Sequence, residues 1–244
     1  MSFCKICDPK CKFSDCICNK KFDEFYETYE DIRKQDIYEN FNLVKQWDIS
    51  TMTVCCCFND RIDLSKYISE YLTEPPSKKF YNCINIYLSV KYQKRIRISC
   101  KIFSNGNIQL AGVLNACAVC YAVRKIFLRL KKTEAFQNKS GFISNIRICM
   151  INSDFKIDKN IKQAKLCKIL ESGDIDFVKT YSFNPNKYPG INVKIQVPES
   201  EKIITCSIFR PGSIILTGGN DISIYKSVYD KVLNLLNTEL DILY

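Results

Sequence analysis

The sequence predicts an α+β protein built from two copies of one unit, each an antiparallel sheet with helices on a single face. Three observations carry that expectation. A ten-residue block recurs at a fixed distance, strands and helices follow the same order in each copy, and strand residues alternate between an apolar side and a polar, cationic side.

The recurring block is Phe103-Ser-Asn-Gly106-Asn-Ile108-Gln-Leu110-Ala-Gly112, which returns 106 residues later as Phe209-Arg-Pro-Gly212-Ser-Ile214-Ile-Leu216-Thr-Gly218. The same offset continues downstream, where Lys125, Ile126 and Leu130 correspond to Lys231, Val232 and Leu236. Upstream it becomes 107, taking Tyr81, Ile84, Ile86, Leu88 and Val90 to Tyr188, Ile191, Val193, Ile195 and Val197, a difference that one hairpin residue absorbs. Near the start of each copy Thr51 and Asp63 are matched to Asn145 and Asp158 at offsets of 94 and 95, so a longer intervening loop is expected in the second copy. The resulting division is an amino-terminal appendage over 1–45, a first repeat over 46–139 and a second over 140–244.

Each copy reads as strand, helix, three strands, helix. Between Arg95 and Phe103, Ile96, Ile98, Cys100 and Ile102 fall on one side while Arg95, Arg97, Ser99, Lys101 and Phe103 fall on the other, the period of a strand covered on one face. Asn-Gly-Asn supplies the next turn, and Asn107, Gln109 and Ala111 then alternate with Ile108 and Leu110. The segment 116–132 places Val119, Ala122, Val123, Ile126, Phe127 and Leu130 at helical spacing, as Tyr225, Val228, Tyr229, Val232 and Leu236 do in the second copy. These helices should cover the apolar back of each sheet and leave a polar front available to a partner.

With 244 residues, 46% of them hydrophobic, the chain can bury a substantial core. Its net charge of +10 suits an anionic partner. The distribution says more than the total, because residues 75–133 contain twelve Lys or Arg and no Asp or Glu. No histidine is present, which excludes Ser-His-Asp, Cys-His and His-ligated metal chemistry, and no phosphate-cradling glycine loop appears. The expectation is therefore a protein that is not an enzyme, intracellular and reduced, with no membrane partner. Ten of the fifteen cysteines lie beyond residue 50 among apolar neighbours, where a free thiol behaves as a small hydrophobe.

At Tyr188-Pro-Gly-Ile191 and Ile208-Phe-Arg-Pro-Gly212-Ser-Ile-Ile-Leu-Thr-Gly218 the chain resembles the TATA-box-binding protein family, whose second repeat typically reads like FPGLIYR followed by IFVSGKIVLTG. The resemblance covers about residues 46–240, and the Lys-, Ile- and Asn-rich composition looks like the version carried by large DNA viruses. It implies a saddle-shaped curved sheet with helices on the convex side, and a transcription initiation factor that binds and bends promoter DNA through the minor groove without a required cofactor. Apolar wedges in that family kink base steps, and the resemblance puts Phe103 and Phe209 there, with Tyr188 and Tyr81 as their companions and Phe80 as the alternative to Tyr81. It puts Thr51, Thr53, Gln109, Ala111, Asn145, Arg147, Ile215 and Thr217 on the central groove surface, and Arg95, Arg97, Lys101 and Lys194 against phosphate or the groove flanks. The family's asparagine and threonine pairs are retained as Asn145 and Thr217 in the second copy but replaced by Thr51 and Ala111 in the first, which puts TATA selectivity in question. General transcription factors or polymerase machinery are the implied protein partners, in a nucleus or a viral replication compartment. Asn184 and Asn186 stand where the family carries acids that receive transcription factor IIB. The alternative function is a docking platform with weak or no sequence-specific DNA binding.

Before the repeats, residues 22–40 carry seven acids against two bases. They suit either a solvated helix or a segment that docks on the cationic front as an imitation of nucleic acid. Ahead of them, Cys4, Cys7, Cys16 and Cys18, with Cys11 between, have the spacing of a zinc knuckle; reduced cysteines in an arm are the other reading. If the knuckle forms, metal analysis of the reduced full chain should return about one zinc per chain, and a small fraction of an equivalent would dismiss it.

Overall fold

A computed structural model of the chain describes residues 44–71, 82–92, 94–114, 116–138, 143–197 and 200–238. The strands are β1 (Val44–Phe58), β2 (Cys83–Tyr92), β3 (Lys94–Phe103), β4 (Asn107–Val113), β5 (Ile143–Ile157), β6 (Val178–Asn184), β7 (Tyr188–Gln196), β8 (Ile203–Ile208) and β9 (Ser213–Thr217). The helices are α1 (Leu64–Tyr71), α2 (Ala116–Lys132), α3 (Gln163–Ser172) and α4 (Ile222–Thr238). Two compact units emerge. The first holds Thr51–Cys149; the second begins at Met150 and also takes β1 up to Ser50. The boundary between them thus falls inside β5.

In the first unit the strand order is β2-β3-β4-β1, every pair antiparallel. Met52, Val54, Cys56, Ile84, Ile86, Leu88, Ile98, Cys100, Ile102, Ile108 and Leu110 all point to one side and are buried. Helix α2 lies on that side, with Val119, Ala122, Val123, Ile126 and Leu130 buried against the sheet. Phe58, Phe127 and Phe136 close the end of this core, with ring centroids 5.4 to 6.0 Å apart. Burial pushes the thiols of Cys56 and Cys100 up to about 12, as expected for cysteines that serve as packing.

The second unit has the order β5-β9-β8-β7-β6. Ile151, Phe155, Ile191, Val193, Ile195, Ile204, Cys206, Ile214 and Leu216 form its apolar side, against Tyr225, Val228, Tyr229, Val232 and Leu236 of α4. A buried tyrosine hydroxyl needs polar partners, and that of Tyr225 has them: it donates to the Ile151 carbonyl and accepts the Gly219 N–H at 2.9 Å.

The order strand, helix, three strands, helix holds in the first unit among the described residues and is corrected in the second. There β6 adds a fourth strand after α3, pairing with β7. The register of the opening strands is corrected as well. Phe58 N–H donates to the Gly106 carbonyl at 2.9 Å and Ile157 N–H to the Gly212 carbonyl at 3.0 Å, while Ile62 and Ile161 donate in turn to Ser104 and Arg210. Phe58 therefore corresponds to Ile157 and Leu64 to Gln163, each pair 99 residues apart rather than 94 or 95. The connection from first strand to first helix has the same length in both units, and the additional residues of the second copy follow its helix.

Gly106 and Gly212 are conformationally necessary at these turns. Both have positive φ, and an added Cβ would lie 2.3 Å from the Phe58 carbonyl oxygen and 2.4 Å from that of Ile157, respectively. A contrasting defect sits at Ser153, whose fully buried hydroxyl has no hydrogen-bond partner on the apolar side of β5. Ser153→Ala should therefore raise the unfolding free energy by about 1 kcal/mol, and Gly212→Ala should lower it by roughly 2 kcal/mol or more. Chemical denaturation of the two variants checks both signs.

Candidate nucleic-acid interface

Because the long helices α2 and α4 pack on the apolar sides, the opposite side of each unit carries no helix among the described residues. In the first unit, Tyr87, Ser99, Ala111 and Thr53 form one row across β2, β3, β4 and β1, and Asn85, Lys101, Gln109 and Cys55 form the next. Tyr87 is 57% exposed and carries the Arg97 guanidinium 4.1 Å from its ring centroid. Ser99 donates to Asn85 at 3.1 Å. Arg97 and Lys101 are exposed, and among the described residues of this face no carboxylate accompanies them.

Where the recurring block opens, Cys55, Cys57, Phe103, Gln109, Asn145 and Arg147 line a pocket of about 290 Å³. Asn145 adopts a left-handed backbone conformation, φ 53°, which asparagine tolerates better than most residues. Desolvation, reinforced by the adjoining Cys149 thiol, pushes Cys55 up to about 11 against the opposing pull of Arg147. That thiol is no ready nucleophile at neutral pH.

The matching row of the second unit is Lys194, Thr205, Thr217 and Asn152, followed by Asn192, Ser207, Ile215 and Asp154. Thr217 donates its hydroxyl proton to Asn152 Oδ1 at 2.7 Å, and Ser207 donates to Asn192 Oδ1 at 2.7 Å. The residue beside Thr217 is thus Asn152, and by the 99-residue register its counterpart is Thr53. That corrects the pairing of Asn145 with Thr51. Asn145 stands seven residues away on β5, in the pocket of the first unit.

At the end of the second face Tyr188 and Phe209 meet edge to face, ring centroids 5.6 Å apart. Tyr188 is 40% exposed and Phe209 half-buried. Gly190 makes this pair fit, since a Cβ there would come within 2.9 Å of the Phe209 ring and 3.0 Å of the Tyr188 ring. In the first unit Phe103 pairs with Cys83 across the β2–β3 ladder. Tyr81, Phe80 and the amino-terminal Cys4, Cys7, Cys11, Cys16 and Cys18 lie outside the described residues. Arg95 takes its place opposite Lys91 in the β2–β3 ladder, and Thr51 alternates with the core residues of β1.

The structure thus brings Phe103, Gln109, Asn145 and Arg147 together in one unit, and Lys194, Ile215 and Thr217 onto one face of the other. Sequence reading missed Asn152, Gly190 and the exposed Tyr87. Asn152 could have been found by aligning the buried residues Val54, Cys56 and Phe58 with Ser153, Phe155 and Ile157.

Residues 148–238 match the family described as transcription factor TFIID, or TATA-binding protein. A protein of Acanthamoeba polyphaga mimivirus described as TATA-box-binding protein-like is 29% identical over 194 residues, which cover 70% of this chain and 52% of that relative. The chain therefore spans about half the length of this relative. Among solved structures, the Methanococcus jannaschii TATA-binding protein superposes with a TM-score of 0.57 at 17% identity, covering 80% of this chain and 99% of the other. That likeness establishes the fold, and the sequence matches agree with it in the second unit, where the aromatic pair and the threonine-held asparagine stand. Over residues 148–238 the chain is thus similar to the TATA-binding protein family, and its fold is that of an archaeal TATA-binding protein.

Proposed function

We propose that the chain is a transcription initiation factor that binds promoter DNA on the helix-free faces of its units, enters the minor groove and bends the duplex. The observation that carries this reading is the Tyr188–Phe209 pair, a partly exposed aromatic contact on the helix-free side with Gly190 clearing its space. An apolar ring held at the end of a polar sheet has little to gain from water. It gains by entering a base step, where unstacking costs a few kcal/mol and the opened groove admits more protein surface.

Arg97, Lys101 and Lys194 supply the general attraction. Each phosphate they neutralise releases condensed counterions, which gives affinity on any sequence and strong dependence on salt. The Tyr188 hydroxyl limits how far that ring can insert without a polar partner, so Phe209 and Phe103 are the principal wedges. In this role the chain needs no cofactor, its partners are duplex DNA and general transcription factors or polymerase, and it works in a nucleus or a viral replication compartment. Asp154, central on the second face, and the replacement of asparagine and threonine by Thr53 and Ala111 in the first favour the docking platform as the second reading.

Two variants separate the contributions. Phe103→Ala with Phe209→Ala should abolish bending, read from end-to-end distances in labelled duplexes, while most salt-sensitive affinity survives. Lys101→Ala should weaken binding on all sequences alike and reduce the salt slope by about one unit. Unchanged bending in the double phenylalanine variant would contradict the wedge role, and binding indifferent to salt would favour the docking platform.

A further inference from the structure

The corrected register exposes a chemical inequality between the units. In the second, Asn152 and Thr217 form one assembly: the threonine hydroxyl is spent as a donor to Asn152 Oδ1, which fixes the amide with that oxygen engaged. In the first, the same two positions hold Thr53 and Ala111, directly opposed in the β1–β4 ladder. Alanine lacks both the hydroxyl and the methyl that threonine would project. In the adjoining row Gln109 and Lys101 stand where the second unit has Ile215 and Ser207.

The minor groove turns this difference into a preference. A·T and T·A pairs present only acceptors there, whereas G·C adds the guanine 2-amino donor at the centre of the groove floor. Next to Asn152 and Thr217 that amino group meets bulk, an amide whose oxygen is already engaged, and the aliphatic Ile215. Beside Ala111, which stands against a buried Thr53, it meets no such bulk, and Gln109 in the adjoining row carries a side-chain amide that both donates and accepts.

We propose that the two units read DNA unequally. The unit carrying Asn152 and Thr217 requires A·T pairs, while the unit carrying Thr53, Ala111 and Gln109 accepts G·C, so that the preferred target is a half-A·T, non-palindromic duplex. This inference rests on the DNA-binding reading. It adds to it the class of sequence bound and the residues that set it.

The test uses the full chain and duplexes of equal length in which a single G·C or inosine·C pair is moved through an A·T site. Inosine lacks only the 2-amino group, so the ratio of the two affinities at each position isolates that group. The expected ratio is about tenfold or more in one half of the site and within about threefold in the other. Thr217→Ala should lower the ratio in the sensitive half, and Ala111→Thr should raise it in the tolerant half. Ala111→Ser makes the same test with less added bulk. Equal ratios in both halves, or a pattern that neither unit's variants move, would overturn the inference while leaving DNA binding intact. Absence of binding to every duplex at low salt would overturn both.

Discussion

Burial of Val119, Ala122, Ile126 and Leu130 of α2 against the apolar side of β2, β3 and β4 decides which face of the first unit stays open. A β-strand sends alternate residues to opposite faces, so once Ile98, Cys100 and Ile102 are committed to the helix, Arg97, Ser99, Lys101 and Phe103 are committed to the other side. A register slip of one residue would place two cations in the core. In the second unit α4 fixes Thr205, Ser207, Ile215 and Thr217 in the same way, with Tyr225 tying helix to strand through the Ile151 carbonyl. The chemistry of each open face follows from how its helix is packed.

The recurring block, the strand alternation and the two long helices could be read directly because burial imposes a period on them. Strand β6 could not. Its residues Val178–Asn184 include none that is buried, so no apolar face marks it, and pairing with β7 holds it in place. The opening strands resist alignment from sequence for a related reason. Matching polar residues, Thr51 with Asn145, relies on positions under no packing constraint, whereas the core residues of β1 and β5 and the two glycine turns fix an offset of 99. Asn152 emerges only once that offset is known.

The units have diverged most on the side away from the helices. Core positions mostly keep a hydrophobe, as Cys100 with Cys206 and Ile108 with Ile214, with Val54 exchanged for Ser153 the exception, but the rows of the opposite face replace Lys101 with Ser207, Gln109 with Ile215 and Cys55 with Asp154. The first face is left cationic and the second nearly neutral, with its aromatic pair intact. Packing has constrained the scaffold and left recognition to vary.

The central claim is that the helix-free faces, and not the basic helix α2, meet DNA. Lysine modification footprinting of the full chain with and without a duplex distinguishes the two surfaces, because Lys101 and Lys194 lie on the open faces while Lys131 and Lys132 end α2. The account predicts protection of Lys101 and Lys194 on adding DNA, with Lys131 and Lys132 modified as before. Protection confined to Lys131 and Lys132 would contradict it.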